Sequence, residues 1–435
     1  MDKILDLHIH SKYSRACSPG LNLSNIARAC ETRGIDMVAT SDFTHPAWFE
    51  HMTDMLVEDT EGIYKLKDES SKTRFILGTE LSCVKKHKDK TRRVHVCVFA
   101  PNLEVVAKFN QTLENMGFNL KSDGRPILGL NVKTLLEIML EVDKRMVMIP
   151  AHVWTPWFGI FGSKGGYDSL EEAFEELAPH IFAIETGLSS DPVMNWRLSA
   201  LDNITLVSNS DAHSCGKLGR EANVFEFGSE KDITYSEIMR ILNKKSHVKS
   251  PAGDHVVNKF KYTIEFYPEE GKYHWDGHRN CKFVCPPEES DKLKNICPKC
   301  GKPLVIGVEN RVHKLADRSV EEAKEVGKKQ IPYKSLVPLP EILADTFGCG
   351  VNTKRVKVQY DEMIEKLGSE FHILLNVSLE SIEKASTKII AGAIERVRQG
   401  NIHVEPGYDG EFGVVRIFKD SGDRGGPKQT GFDLE

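Results

Sequence analysis

The chain has 435 residues, more than a single hydrophobic core usually serves, and its 40% hydrophobic and 28% charged residues are those of a folded globular protein. No stretch approaches the roughly 18 to 20 apolar residues of a membrane span, and MDKILDLHIH lacks the long apolar run of a secretory leader. A formal net charge of -5 excludes a uniformly basic nucleic-acid binder, so any such contact must come from local patches. The expectation is a cytoplasmic protein, with no membrane partner, whose ten cysteines stay reduced.

From the start to residue 230, short β-rich apolar runs alternate with amphipathic helical stretches, the pattern of an α/β domain with a mainly parallel sheet. Strands are predicted at residues 4–9, 37–40, 75–79, 94–99, 146–149, 181–184 and 205–208, and seven such segments imply a closed or nearly closed barrel. Helices are predicted at 23–33, stopped by Gly34, and at 131–143. Residues 231–318 read as a connecting segment and a small module with four cysteines inside twenty residues. Residues 319–420 read as a C-terminal helical domain, approached through a charged helix over 317–329. In its best-patterned part Ile382, Ala385, Ile389, Ala393, Ile394 and Val397 form one apolar stripe between an N-cap at Ser378 and a stop at Gly400. The Gly-rich, polar tail, 421–435, is expected to be disordered.

Within the first strand, period-two geometry puts Asp6, His8 and His10 on one face and Leu5, Leu7 and Ile9 on the other. Later strand ends offer further metal-type side chains: Asp42 and His45 in TSDFTHP, Glu80 in GTE, His95 in RVHV, His152 in PAH, then Asp211 and His213 in NSDAH. Ligands placed where barrel strands finish converge on one face. Imidazole and carboxylate without thiolate suit Zn, Mn or Fe(II), and this many donors exceed the needs of one ion. Two closely spaced ions suit phosphoester cleavage, with Asp211 bridging or orienting the nucleophile.

These residues resemble the PHP (polymerase and histidinol phosphatase) superfamily, whose His-x-His, Glu, His and Asp-x-His signature is matched by His8, His10, Glu80, His95, His152, Asp211 and His213 across residues 4–220. The resemblance implies a distorted (β/α)7 barrel with a multinuclear site, whose metal ligands are these residues with His45 and whose catalytic groups are Asp211, Glu80 and His152. The stretch after the first pair reads SKYSRAC, where many members carry another His or Asp, so two or three divalent metals (Zn, Mn, Mg or Fe) are expected. Finer motifs resemble the endonuclease Q branch: DFTHPAW, KSDGRPILGL, VWTPWFGIFGSKGGYDSL, ETGLSSDPVMNWRLS, SNSDAHSCGKLGREANVF, GHRNC and CPKCGKPLVIGV. That branch implies DNA cleavage on the 5′ side of hypoxanthine, uracil, xanthine or an abasic site, in double- or single-stranded DNA. The competing readings are a PHP-type phosphatase acting on a small phosphorylated metabolite and a non-catalytic DNA-binding protein.

Three further features bear on such a function. Lys85, Lys86, Lys88, Lys90, Arg92 and Arg93 lie between Glu80 and His95, so a hairpin carrying them would project beside the metals and hold a phosphate backbone; Lys244, Lys245 and Lys249 form a weaker group. Trp154, Trp157, Phe158, Phe161 and Gly162 directly follow His152, where they would form either a wall for an extruded base or buried core. In the Cys-rich module, Cys281, Cys285, Cys297 and Cys300 have the spacing of a structural zinc site. Spacing alone favours Cys285 as the fourth ligand, and the family resemblance favours His278, so the expected set is His278, Cys281, Cys297 and Cys300. Cys17, Cys30, Cys83, Cys97, Cys215 and Cys349 are expected to be ordinary thiols. Finally, Gln429, Phe432 and Leu434 loosely resemble the short peptides that dock on sliding clamps.

Overall fold

The structure is a computed structural model that describes residues 1–87, 90–243 and 258–419. Lys88, the Lys244 group and the clamp-like tail lie outside the described residues. Among the described residues no helix is long and apolar enough to cross a membrane.

The chain winds through Asp2–Asp6, Met37–Ala39, Arg74–Ile76, Gly78–His87, Lys90–Phe99, Val147–Pro150, Ala183–Glu185 and Thr205–Val207. Asp2–Asp6, Met37–Ala39 and Arg74–Ile76 are parallel neighbours, as are Ala183–Glu185 and Thr205–Val207. The wall closes past the strand ends, where Ile9 bridges Ala212 and the Asp211 N–H donates to the His8 carbonyl at 2.9 Å. The result is a distorted, interrupted barrel whose walls come from an eight-stranded, a four-stranded and a two-stranded sheet.

The sheet is less parallel than the alternating pattern implies. Lys90–Phe99 runs antiparallel both to Gly78–His87 and to Val147–Pro150. Only a tight hairpin separates it from Gly78–His87, and a parallel return needs a crossover of a dozen residues or more. The large sheet also continues beyond residue 230. Lys259–Glu265 pairs antiparallel with Ala222–Glu226, which itself pairs with Asp2–Asp6.

Helix Leu23–Arg33 follows its sequence signals: Asn22 accepts from the Asn25 N–H, and Gly34 ends it in the left-handed region at φ 86°. A Cβ on Gly34 would overlap the Ser369 side chain of the helical domain. Gly34→Ala should therefore lower stability by about 1–3 kcal/mol, read as a shifted urea midpoint with an unchanged slope.

In the helical domain the single apolar stripe is split. Leu379–Ala385 and Lys388–Arg398 are separate helices, because Thr387 turns its hydroxyl to the Ile390 N–H and caps the second. Ile389 falls beside that break and is exposed, while Ile382, Ala393, Ile394 and Val397 are buried as the pattern requires. The charged helix is Val320–Gly327, shorter than predicted, since a capping box between Ser319 and Glu322 starts it late. A hairpin of His403–Glu405 and Val414–Arg416 returns to the Cys-rich module, where Tyr408 bridges Trp275.

Candidate metal centre

Six predicted ligands converge above the barrel. Glu80 is at their middle, fully buried, with His95 Nδ1 at 2.6 Å and His152 Nε2 at 3.1 Å from one oxygen, and His10 Nε2 at 3.2 Å and Arg125 Nη1 at 2.9 Å from the other. His10 Nε2 also lies 2.9 Å from Asp211 Oδ1. Two donor groups result: His8, His10, Glu80 and Asp211, and Glu80, His95 and His152, each with its ligand atoms within 4.8 Å of one another.

Carboxylates behind these imidazoles set their orientation. Glu185 lies 3.1 Å from His8 Nδ1 and accepts from the His152 backbone N–H at 2.7 Å and from Asn209 at 2.8 Å. A carboxylate only accepts, so His8 donates Nδ1–H to it and turns Nε2 toward Glu80 and Asp211. Asp42 does the same for His10 Nδ1 at 3.3 Å while accepting from the hydroxyls of Ser11 and Ser14. Asp42, His152 and Asp211 all adopt positive φ, a costly backbone state that cleanly redirects a side chain past a strand end.

The electrostatics are those of a site built for cations. Burial opposes charge on Glu80, but His95, Arg125 and His8 hold its pKa well below the carboxylate range. Asp211 is likewise held low against burial, first by the His10 hydrogen bond and then by the His8 charge. Burial pulls His95 down to about 4, against the opposing pull of the Glu80 carboxylate beside it. His8 Nε2 and His152 Nδ1 are buried without a hydrogen-bond partner. An orphaned imidazole nitrogen turned toward two carboxylates fits a divalent metal, and the all-N/O donor set suits Zn, Mn, Mg or Fe.

Not every predicted ligand joins. His45 starts helix Pro46–Met55 and stacks on Tyr13 at 4.2 Å, outside the donor groups. His213 packs its ring 4.5 Å from His10 and directs Nδ1 to the Asp211 carbonyl at 2.8 Å, beside the donors but not among them. Asp6, on the same strand face as His8, serves the fold: it accepts from Ser210 and from the Gly219 N–H, and burial raises its pKa to about 6. Three contributors escaped the sequence reading. Glu185 directly follows a predicted strand, the position that exposed the other ligands. Arg125 comes from a loop with no such marker. Cys97 groups with His8 and Glu185, although burial pushes its thiol up to about 12.

The Cys-rich module brings His278, Cys281, Cys297 and Cys300 together, with Cys300 Sγ 3.3 Å from His278 Nδ1. Cys285 is buried beside Leu304 in a small apolar cluster and stays outside the quartet. Against the rise that burial causes, the backbone N–H groups of Lys299 and Cys300 bring the Cys297 thiol down to about 7, toward the thiolate a metal needs.

The basic run does form a hairpin, with Lys85, Lys86 and Lys90 exposed and Arg93 half-buried. Arg92 is committed elsewhere: it is buried over the Tyr167 ring, donates to the Gly166 carbonyl, and pairs with Glu172 at 2.6 Å. Among the aromatics after His152, Trp154 and Phe161 are core, Phe158 stacks on His95 at 4.2 Å, and Trp157 is exposed.

A histidine–carboxylate centre at the mouth of a distorted barrel, joined to a Cys/His module and a helical domain, is the architecture that the PHP resemblance implies. The structure of the lesion-specific endonuclease PfuEndoQ of Pyrococcus furiosus superposes with a TM-score of 0.82 at 31% identity, over 96% of each chain. An endonuclease Q bound to a 27-mer duplex with an abasic lesion at its active site matches with a TM-score of 0.80 at 31% identity, over 96% of this chain and 97% of that one. The chain belongs to the endonuclease Q family. The family model of the MJ0043 C-terminal domain matches residues 338–401. Protein MJ0043 of Methanocaldococcus jannaschii is 31% identical over 267 residues, 60% of this chain but only 31% of that protein's own length.

Proposed function

We propose that the chain is a metal-dependent DNA repair endonuclease that hydrolyses the phosphodiester 5′ of deaminated bases (hypoxanthine, uracil, xanthine) or abasic sites. The observation that carries this reading is the shared-carboxylate centre itself: two donor groups joined through Glu80, in a chain that matches a lesion-specific endonuclease from end to end. Two or three divalent metals held by His8, His10, Glu80, His95, His152 and Asp211 would neutralise phosphate charge and acidify a water molecule. Asp211 is the most open of these donors, its side chain 26% exposed, so it is the group that meets the substrate and orients the attacking water. Arg125 and Glu185 are positioning residues that act through Glu80 and His8. Lys85, Lys86, Lys90 and Arg93 would hold the DNA backbone beside the centre.

A phosphatase of small metabolites leaves the exposed basic hairpin and the Cys/His module without a task. The deciding experiment offers the protein labelled duplexes carrying one uracil, hypoxanthine or abasic site, with Mg, Mn or Zn, and resolves the strands on a denaturing gel. A single nick 5′ of the lesion, abolished by EDTA and absent from undamaged duplex, is expected. Intact lesion strands with every metal, alongside turnover of a phosphomonoester, would overturn the reading.

Replacing Lys85, Lys86 and Lys90 by Gln should weaken binding equally for damaged and undamaged duplexes. The plot of log affinity against log salt should flatten by about 0.9 for each phosphate that is no longer neutralised. An unchanged slope removes the hairpin from the interface.

A further inference from the structure

Among the described residues, three aromatic side chains are largely exposed: Trp157 at 48%, Tyr273 at 36% and Phe412 at 66%. They come from three distant segments: Trp157 and Tyr273 meet ring to ring, and Phe412 adjoins them through Lys272. The rings of Trp157 and Tyr273 lie 6.4 Å apart, the Lys272 ammonium next to Tyr273 sits 4.4 Å over the Phe412 ring, and the Gly410 N–H fastens that loop to the Lys272 carbonyl at 3.0 Å. Scattered exposed apolar residues need no explanation, but exposed rings linked to one another through a shared lysine do.

The patch borders the metal centre. Trp157 directly precedes Phe158, whose ring covers His95 and whose carbonyl accepts the His95 N–H at 2.8 Å. The neighbouring cations, exposed Lys272 and Arg279, favour an anionic ligand over an apolar peptide. Intact duplex offers no free base faces to exposed rings, because its bases are stacked on each other. Flat rings beside cationic side chains are the pattern that holds unpaired bases, one ring to a base.

We propose that Trp157, Tyr273 and Phe412 form a stacking platform for unpaired bases of the DNA strand next to the scissile phosphate. The ligand identity rests on the nuclease reading; the platform is tested by binding alone. Loop, Cys/His module and hairpin each supply one ring, so the platform exists only when the three are assembled. That makes it a way to admit strands already opened by damage and to reject paired ones.

The test is a fluorescence titration of the full chain, without added catalytic metal, with a single-stranded oligothymidine and separately with an undamaged duplex. Wild type should show tryptophan quenching by the oligothymidine and little by the duplex. Trp157→Phe should keep oligothymidine binding, followed by anisotropy of a labelled oligonucleotide, but lose the quench. Tyr273→Ala and Phe412→Ala should each weaken oligothymidine binding on the order of 10-fold, with duplex affinity held within about 2-fold. Tyr273→Phe should restore binding, and an unchanged zinc content in the Ala variants shows that the module is still folded. Equal quenching by duplex, a quench that persists in Trp157→Phe, or unaltered affinity in both Ala variants would overturn the platform. Failure of wild type to nick lesion duplexes would instead strike at the nuclease reading and leave these binding results standing.

Discussion

Asp211→Asn should abolish strand cleavage while leaving DNA affinity nearly intact. Its carboxylate receives His10 Nε2 at 2.9 Å, faces His8 Nε2 at 3.7 Å, and is partly open to solvent, whereas Glu80 beside it is sealed. An amide keeps the size but loses the negative charge and replaces one acceptor oxygen by an NH2 donor, so the remaining oxygen is a weaker ligand and cannot serve both the centre and the water. Loss of one such group is expected to cost on the order of 1,000-fold in rate, about 4 kcal/mol of transition-state stabilisation. On the proposed reading DNA is held by the exposed Lys85, Lys86 and Lys90, which the change does not touch. Single-turnover nicking beside an anisotropy titration separates the two effects. A parallel fall of both would show that the substitution disturbs the fold, and full retention of cleavage would remove Asp211 from the chemistry.

Cys297→Ser and Cys300→Ser should each remove about one zinc per chain and loosen the segment around residues 272–308, since a thiolate site of this kind ties metal binding to local folding by about 10 kcal/mol or more. The module has little apolar material of its own: Cys285, Cys297 and Leu304 are its buried cluster, with Cys281, Phe283 and Ile306 packed against it. Without the metal nothing of comparable strength holds the Asp276–His278 and Phe283–Cys285 strands against the Cys297–Cys300 turn. His8, His10 and Asp211 belong to other elements and should keep their own metals, so weak phosphodiester cleavage should survive while discrimination between damaged and normal DNA is lost. Metal analysis and limited proteolysis beside wild type check the first claim, and a comparison of lesion and undamaged duplexes checks the second. An unchanged zinc content would refute the site; unchanged selectivity would refute its role.

Much of this molecule is local information. Period-two runs, the helix over 23–33 with its Gly34 stop and the four-residue turn of Cys297 to Cys300 depend on neighbours a few positions away, and each appears in the fold where the sequence puts it. The histidines and carboxylates at strand ends were legible for the same reason, because a barrel collects its strand ends on one face whatever the details of packing. Direction and partnership were not local. Whether Lys90–Phe99 runs with or against its neighbours depends on the length of one hairpin, and whether Arg92 faces DNA or Glu172 depends on where Tyr167 and the 165–172 segment come to rest. Glu185 became the brace of His8 only when residues 177 positions apart were brought within 3.1 Å. The residue types able to bind metal were thus written in the chain. Which of them converge as a donor group, which hold the others in place and which only pack was decided by tertiary structure, because a hydrogen bond or a ligand geometry is a distance in space, and sequence spacing sets distance only within a single element.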